Sequence, residues 1–303
     1  MNRNIVVESL LLLVAVIWAL NFSVVKFTLE EIDPMSFNAF RFMLAIGFMW
    51  FVLLRSGQKL KVHKGDWPKL IGLGLLGNLL YQSLFIVGIN YTFAANAAVM
   101  LGTIPVWIAL VGRVFFGQDL NKFVVMGVIA AFTGIFLIME GSETGITLAS
   151  ENIVGDLIIL VAAFVFGLYT LFSKQMLGRY TPIQFTMFMM LTGGVSLVLA
   201  GIPWMVQLDY ASISMAAWGG TLYSGLLSIG MAYIIWNYGV SQVGPVRTAT
   251  FQNLVPVLGL VFGVVILNEK LLQLQYIGSL FVIAGIILAR KKPKVLQVPI
   301  TPK

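Results

Sequence analysis

The sequence predicts an all-α membrane protein with ten transmembrane helices in two inverted five-helix repeats and with both termini in the cytoplasm. Three observations predict this fold: charge is scarce, long apolar stretches follow one another, and the second half repeats the first. Of the 303 residues, 59% are hydrophobic and 10% are charged, whereas about a quarter of the residues in a soluble domain are charged. This composition excludes a soluble enzyme, a nucleic-acid-binding domain and a disordered chain.

The apolar stretches are close to the roughly 20 residues that a helix needs to cross a bilayer. Glycine, proline or short polar runs separate them, and no segment remains that could fold as a soluble domain. The predicted spans 1 to 10 are 9–28, 36–54, 69–89, 94–115, 122–139, 155–174, 183–203, 215–238, 246–267 and 273–290.

The basic residues predict the orientation of these spans. If the N-terminus is cytoplasmic, the cytoplasmic segments hold most of the 19 lysines and arginines, and the outer loops hold Lys270. By the positive-inside rule, both termini are then cytoplasmic. The net charge of +7 is therefore a topology signal facing anionic lipid. The expected partners are the bilayer of the cell (cytoplasmic) membrane and a small-molecule substrate, not nucleic acid, and we expect a monomer or a homodimer.

Residues 1–146 and 147–303 align as two repeats of five spans each. At an offset of 148 residues, Glu8, Lys26, Pro34 and Phe37 match Asp156, Lys174, Pro182 and Phe185; at an offset of 151, Asn96, Pro105, Gly127 and Gly134 match Arg247, Pro256, Gly278 and Gly285. Because each repeat has an odd number of spans, the second enters the membrane upside down. Inverted repeats are typical of secondary transporters, whose substrate site lies between the repeats near the midplane.

Pro105 and Pro256 are equivalent by the repeat, and each lies near the middle of its span. A proline there removes one backbone hydrogen bond and displaces the carbonyl four residues earlier, which belongs to Leu101 or to Gln252. Either these prolines kink their helices for packing alone, or they bend spans 4 and 9 around a shared central cavity and act in gating.

Polar and aromatic residues inside the spans are the candidates for the wall of that cavity. Each amide either forms a hydrogen bond between helices or faces a substrate. Each tyrosine or tryptophan near a span end either joins the interfacial belt or lines the cavity. Those nearest mid-span, such as Trp18, Tyr81, Asn237 and Gln252, are the better candidates. The full set is Trp18, Asn21, Asn78, Tyr81, Gln82, Asn96, Trp107, Tyr169, Tyr233, Trp236, Asn237, Arg247, Gln252 and Asn253.

Basic residues inside the spans have more than one interpretation. We expect Arg41 to pair with an acid of the adjoining outer loop, at Glu30, Glu31 or Asp33. Lys26 and Lys174 are expected to snorkel to the headgroups. Arg247 either snorkels or meets a substrate carboxylate.

Acidic residues are missing from the middle of the spans, and Glu8 and Asp156 lie at helix starts, where a carboxylate also suits the helix dipole. Proton pumps usually carry an acid deep in a span, so we expect facilitated transport or a coupling route that the sequence does not reveal. The chain has no cysteine and one histidine, His63, which predicts neither a metal site nor a cofactor. The sequence contains no P-loop.

Two other classes of protein fit the sequence less well. A membrane enzyme needs a reactive cluster, which one loop histidine and no deep acid do not supply. A receptor or structural protein has no need of the two exchangeable conformations that an inverted repeat supplies.

The chain resembles the EamA-type members of the drug/metabolite transporter superfamily over about residues 9–290. The resemblance rests on Ile-Trp-Ala-Leu-Asn-Phe at 17–22, on Arg41-Phe42, on 94–105, and on 244–256, 268–271 and 278–285 in the second half. The resemblance implies a central cavity that is formed mainly by spans 3, 4, 8 and 9. It also implies transport of small metabolites, and several members of the family export amino acids, including aromatic ones. Four-span multidrug members use a glutamate in span 1, where this chain has Trp18, so antiport of cationic drugs of that type is disfavoured.

The sequence therefore predicts a secondary transporter, without enzymatic activity, that exports small metabolites by alternating access around a central cavity. The substrates that we expect first are amino acids, among them aromatic or hydrophobic ones. Export of drug-like compounds and permeation of nucleosides or sugars remain the alternatives.

Overall fold

The computed structural model describes residues 3–116, 122–141, 151–268 and 270–289. These residues are almost entirely helical and contain no strand. The boundary predicted between the repeats, at 146/147, lies outside them. The α-helices are α1 (Arg3–Thr28), α2 (Pro34–Ser56), α3 (Trp67–Gly74), α4 (Tyr81–Asn90), α5 (Ala94–Leu101), α6 (Ile104–Phe116), α7 (Lys122–Glu140), α8 (Glu151–Met176), α9 (Pro182–Met189), α10 (Val195–Gln207), α11 (Met215–Tyr223), α12 (Ala232–Val243), α13 (Pro245–Ala249), α14 (Leu254–Leu267) and α15 (Gln273–Ala289).

Long apolar helices dominate this fold, and several of them are formed by consecutive elements that run on without a loop. Predicted spans 8 and 10 are helical over 215–243 and Gln273–Ala289, and a shorter apolar helix covers Val125–Ile138. Among the residues that the structure describes, seven segments are long and apolar enough to cross a membrane: Ile5–Thr28, Pro34–Ser56, Lys64–Asn90, Ala94–Phe115, Asn152–Met176, Pro182–Gln207 and Pro245–Leu267. These helices are those of a multi-pass membrane protein, while the count of ten crossings stays a prediction.

Two equivalent helices begin at a proline that follows a capping residue. Asp33 accepts hydrogen bonds from two backbone N–H groups in the first turn of α2, which Pro34 opens. Thr181 and Gln184 form a reciprocal capping box at the start of α9, which Pro182 opens. Such caps satisfy N–H groups that have no partner inside the helix, so both starts are fixed by local sequence.

The helices break shortly before each repeated proline. α5 ends at Leu101 and α6 begins at Ile104, and a 3-10 turn over Thr250–Asn253 precedes α14 and Pro256. The sequence predicts a kink at these prolines, and the structure has interruptions instead, because a proline can neither donate a backbone hydrogen bond nor admit the preceding turn without a clash. A Cβ on Gly102 would lie 2.3 Å from the Pro256 ring, so the two interrupted segments touch each other.

Three π-helical segments, Leu75–Leu80, Met190–Gly194 and Ser224–Met231, interrupt other helices. Single π turns are often found at functional sites, since they leave backbone carbonyls out of register. The first segment ends directly before Tyr81, and the third begins at Ser224. Both therefore adjoin the centre of the bundle.

The interior and the perimeter of the bundle differ in character. Leu54, Val114 and Val265 are among many large apolar side chains that are exposed on the outside. Arg41 and Tyr233 are among the largest side chains that are fully buried. An apolar perimeter around a partly polar centre is the arrangement expected of helices that face lipid and enclose a site.

Candidate functional site

A small cavity lies at the centre of the bundle. On one side it is bordered by α1, α2, α4 and the third π segment, and on the other by the end of α5, the 3-10 turn over Thr250–Asn253 and the start of α14. Its volume, measured as the space open to the centres of water molecules, is about 30 Å³. That is room for about two waters. No metabolite fits into it in this conformation, so the helices must part before one could bind. The cavity is lined by Trp18, Asn21, Phe22, Arg41, Tyr81, Gln82, Phe85, Leu101, Ser228, Ile229, Tyr233, Gln252 and Val255.

Arg41 is the charged group of this cavity, and its side chain is 1% exposed. Its guanidinium donates hydrogen bonds to three neutral oxygens: from Nε and Nη2 to Asn38 Oδ1 (2.9 and 2.7 Å), from Nη2 to Gln82 Oε1 (2.6 Å) and from Nη1 to Ser224 Oγ (3.1 Å). In the described part of the chain, no carboxylate oxygen lies within 4.0 Å of it.

The predicted pairing of Arg41 with the outer loop is therefore wrong. Asp33 is used as the cap of α2, and the Glu31 carboxylate accepts hydrogen bonds from Ser214 N (2.6 Å) and Ser214 Oγ (2.8 Å). Arg41 lies seven residues beyond the helix start at Pro34, which is about 10 Å along the axis. The arginine thus points into the bundle and not towards the loop.

Gln82 connects this arginine to the opposite side of the cavity. Its Oε1 accepts from Arg41, and its Nε2 donates to the Tyr233 hydroxyl (2.7 Å). Its backbone carbonyl accepts from Asn38 Nδ2 (3.2 Å). The network joins α2, α4 and α12 by polar contacts through one glutamine, so a movement of any of these helices changes the cavity wall.

Aromatic rings form the other wall. The ring of Trp18 lies 5.1 Å from that of Trp236, 5.9 Å from Phe166 and 6.1 Å from Tyr233 between centroids. Its indole Nε1 donates to the backbone carbonyl of Ser228 at 3.0 Å, within the third π segment. Trp18 and Tyr233 thus present aromatic surface to the cavity, with Trp236 and Phe166 packed behind them, as a site for a flat or bulky apolar group requires.

Two amide oxygens that line the cavity have no hydrogen-bond partner in the described part of the chain, Asn21 Oδ1 and Gln252 Oε1. Both side chains are buried. A buried polar atom without a partner costs about 1–3 kcal/mol, so each such atom calls for an explanation. They are acceptors available to a ligand.

Six of the predicted site residues thus meet at the cavity: Trp18, Asn21, Tyr81, Gln82, Tyr233 and Gln252. Three more lie just behind its wall. Trp236 packs on Trp18, while the Tyr169 hydroxyl donates to Asn237 Oδ1 (3.3 Å), whose Nδ2 donates to Thr186 Oγ1 (2.9 Å). Of the predicted prolines, Pro256 packs against Gly102 in the first half of the chain.

The remaining candidates lie away from the cavity. Asn78 packs against Met190, and Trp107 donates to Thr103 Oγ1 at 3.2 Å. Asn253 belongs to a 3-10 turn, but its side chain lies outside what the structure describes.

Arg247 forms an exposed ion pair with Glu8, with 2.5 Å between Nη2 and Oε1. Neither Arg247 nor Asn96, its partner in the predicted repeat, lines the cavity. Asn96 instead belongs to a buried cluster around Asp156, which accepts from Thr92 Oγ1 (2.5 Å) and from Asn96 Nδ2 (3.4 Å). The expectation that Glu8 and Asp156 lie at helix starts is wrong, because Glu8 is the sixth residue of α1 and Asp156 the sixth residue of α8. Asp156 is also buried.

The two lysines that we expected to snorkel are bound to helix ends. Lys26 Nζ donates to the carbonyls of Ile89 and Asn90 at the end of α4, at 3.2 and 3.0 Å. Such terminal carbonyls have no partner within their own helix, and a cation there also suits the helix dipole.

Lys174 makes the same kind of contact at the other end of the molecule. Its Nζ donates to the carbonyls of Val240 and Ser241 in the last turns of α12, at 3.2 and 3.0 Å. Both lysines therefore hold pairs of helices together.

Sequence reasoning missed Arg41, Phe22 and Phe85 as cavity residues. For Arg41 a signal was present, because an ionisable residue inside a span is a candidate functional residue by default. The two phenylalanines look like ordinary packing residues in sequence, and only the fold brings them to the centre.

The comparisons with known proteins agree with this architecture. The sequence profile of the EamA-like transporter family matches the chain twice, over residues 6–140 and 153–290. The uncharacterized transporter YyaM of Bacillus subtilis (strain 168) is 30% identical over 271 residues, 88% of each chain. A protein of Escherichia coli (strain K12) named a probable amino-acid metabolite efflux pump is 26% identical over 286 residues, 91% of this chain and 92% of that one. A solved crystal structure has a TM-score of 0.68 at 17% identity and covers 93% of this chain and 95% of that chain, a likeness in fold alone.

Proposed function

Because the chain belongs to the EamA-like transporter family, we propose that it exports small metabolites, foremost amino acids with aromatic or apolar side chains, by alternating access around the central cavity. The observation that carries this proposal is the composition of that cavity, where a buried arginine and two unpartnered amide oxygens face aromatic rings. The name of the Escherichia coli relative supports both the substrate class and the direction of transport.

We further propose ten spans in two inverted repeats, with both termini in the cytoplasm of a cell-membrane protein. The family profile matches each half of the chain once. The lysine contacts support the repeat, because Lys26 and Lys174 are related by the offset of 148, and the carbonyls they bind, at 89–90 and 240–241, are related by the offset of 151.

The crossing of α7 and α15 gives independent support. A Cβ on Gly134 would lie 2.4 Å from the carbonyl oxygen of Gly278, and one on Gly285 would lie 2.5 Å from that of Gly127. The offset of 151 converts each of these contacts into the other. A pair of contacts that exchange in this way is what a two-fold axis between inverted halves produces.

The small volume of the cavity and the contacts on either side of it support alternating access. In the proposed orientation, the Glu8–Arg247 pair lies on the cytoplasmic side and the Asp156 cluster on the outer side. A substrate enters when the first contact opens, is enclosed when it closes, and leaves when the second opens. The Gln82 network links the moving helices to the cavity wall.

Transport into proteoliposomes tests the proposal. We expect saturable exchange of radiolabelled L-phenylalanine and L-leucine, which Tyr81→Ala and Gln252→Ala reduce at least about tenfold, because each removes a contact of the cavity. Tyr276→Ala, at an exposed tyrosine of α15, is the matched control and should transport normally. Flux of uridine, glucose or ethidium without any amino-acid flux would replace the amino-acid assignment with one of the alternatives.

A further inference from the structure

The Arg41 guanidinium is a positive charge in the middle of a membrane protein without a negative partner among the described residues. Its contacts are neutral oxygens and the faces of Phe37 and Phe85, whose centroids lie 5.1 and 5.5 Å from Cζ. Cation–π contacts and neutral hydrogen bonds offset part of the desolvation cost of a buried ion. They do not neutralise it, and an ion held in this way attracts an anion.

The hydrogen-bonding capacity of Arg41 is also not used up. A guanidinium has five N–H donors, and Asn38, Gln82 and Ser224 account for four of them. One N–H on Nη1 has no acceptor within the described part of the chain. The Gln82 contact could also be exchanged, because Gln82 keeps a second partner in Tyr233.

Asn21 and Gln252 provide the opposite chemistry in the same cavity. Their unpartnered oxygens are hydrogen-bond acceptors, and an ammonium group has three donors and no acceptor. The aromatic rings that complete the lining can cover an apolar side chain. An anion site, acceptors and an apolar wall together match the three parts of an α-amino acid.

We propose that Arg41 binds the carboxylate of the transported substrate, and that Asn21 and Gln252 accept hydrogen bonds from its ammonium group. This inference rests on the proposed function and narrows the substrate to zwitterions or anions with one apolar arm. A cationic amine without a carboxylate is rejected, because it would share a low-dielectric cavity with Arg41.

A ligand series on the wild-type protein in nanodiscs tests the carboxylate. L-Phenylalanine, 3-phenylpropionate, L-phenylalaninamide and phenethylamine share one aromatic arm and differ in their charged groups. We expect the two ligands without a carboxylate to bind at least about 30-fold more weakly than L-phenylalanine, because they leave a buried charge unpaired. 3-Phenylpropionate, which lacks the ammonium, should bind about tenfold more weakly.

Variants assign the effect to this arginine. In Arg41→Gln the preference for L-phenylalanine over phenethylamine should fall to about threefold or less, while Arg41→Lys should keep much of it, because the charge remains. A purely structural role would weaken all four ligands alike and leave their ratios unchanged. The control is Arg55→Gln, which removes an exposed arginine of the same helix and should leave all affinities as they are.

The outcomes separate this inference from the transport proposal. Equal affinity for phenethylamine and L-phenylalanine in the wild type overturns the role of Arg41, even if Arg41→Gln does not fold, and leaves amino-acid transport standing. Binding of 3-phenylpropionate without binding of any amino acid supports Arg41 and overturns the amino-acid assignment. If none of the four ligands binds and no amino acid is transported, both proposals are wrong.

Discussion

The two ends of the molecule carry equivalent contacts made with different chemistry. By the repeat, Asp156 corresponds to Glu8 and Asn96 to Arg247. At one end a buried carboxylate accepts hydrogen bonds from neutral groups, and at the other an ion pair is 39% exposed at Glu8 and 53% exposed at Arg247. If the two halves are the inverted repeats proposed above, the place of this contact is kept between them while its chemistry and strength differ.

The difference predicts that the ends open at different cost. An exposed ion pair is worth about 0–1 kcal/mol and weakens with salt, whereas a buried polar group that loses its hydrogen-bond partner costs about 1–3 kcal/mol. The Asn96 side chain is held further by Gln275 Nε2, which donates to its Oδ1 at 3.3 Å. The Glu8 end should therefore open more readily than the Asp156 end.

The largest expected effect comes from removing the two equivalent acids. Asp156→Ala leaves the buried Thr92 hydroxyl and Asn96 amide without an acceptor and should lower the free energy of unfolding by about 3 kcal/mol. Glu8→Ala should lower it by less than about 1 kcal/mol. Thermal-shift measurements on purified protein compare the two, with Asp156→Asn expected in between. Equal losses would contradict the distinction between the ends.

The lysines sharpen the comparison, since there the two ends are alike. Lys26→Met and Lys174→Met each remove charge-assisted hydrogen bonds to two carbonyls at a helix end, and each should destabilise the fold by about 1–2 kcal/mol. The same thermal-shift assay applies. A loss at one lysine and none at the other would argue against a two-fold relation between these contacts.

Accessibility of the cavity measures opening directly. The chain has no cysteine, so Ser228→Cys places one thiol at the cavity. Adding Arg247→Gln should raise its labelling from the cytoplasmic side about two- to fivefold in inside-out vesicles, the effect of one exposed ion pair, and high salt should act similarly on Ser228→Cys alone. Arg55→Gln is the control, and faster labelling from the outer side would reverse the proposed orientation.

The sequence predicted much of this fold and only part of the site. Apolar length is a local property, so the predicted span 36–54 became a helix over Pro34–Ser56, extended by a cap and a polar end that lie beyond the apolar core. Repeated prolines showed where helices are interrupted. The packing of the Pro256 ring against Gly102 could not be predicted. It depends on how two segments that are distant in sequence cross, and a local sequence pattern carries no information about that crossing.

Arg41 shows why the rest could not be predicted. Its nearest acids in sequence seemed the natural partners, but Asp33 was needed for backbone N–H groups and Glu31 for Ser214. The partners of Arg41 at Gln82 and Ser224 are 41 and 183 residues away. The partners of Arg41 were decided by competition for local hydrogen bonds and by long-range packing. Both depend on the folded chain and cannot be seen in the sequence.

Glu31 carries the smallest predicted effect and adds a third contact, after those of Asp156 and Lys26, to the proposed outer end of the molecule. Its hydrogen bonds from the backbone and side chain of Ser214 lower the pKa of its carboxyl below the ordinary 4.5. A lowered pKa in the folded state means that this contact stabilises the fold above pH 4.5 and that its contribution is lost as the pH falls through the folded-state value. The melting temperature of Glu31→Gln should therefore be slightly below that of the wild type at pH 7, with the gap closing as the pH drops below 4.5. A gap that widens on acidification would show that Ser214 does not favour the charged form, and the outer end would then rest on the Asp156 cluster without help from this loop.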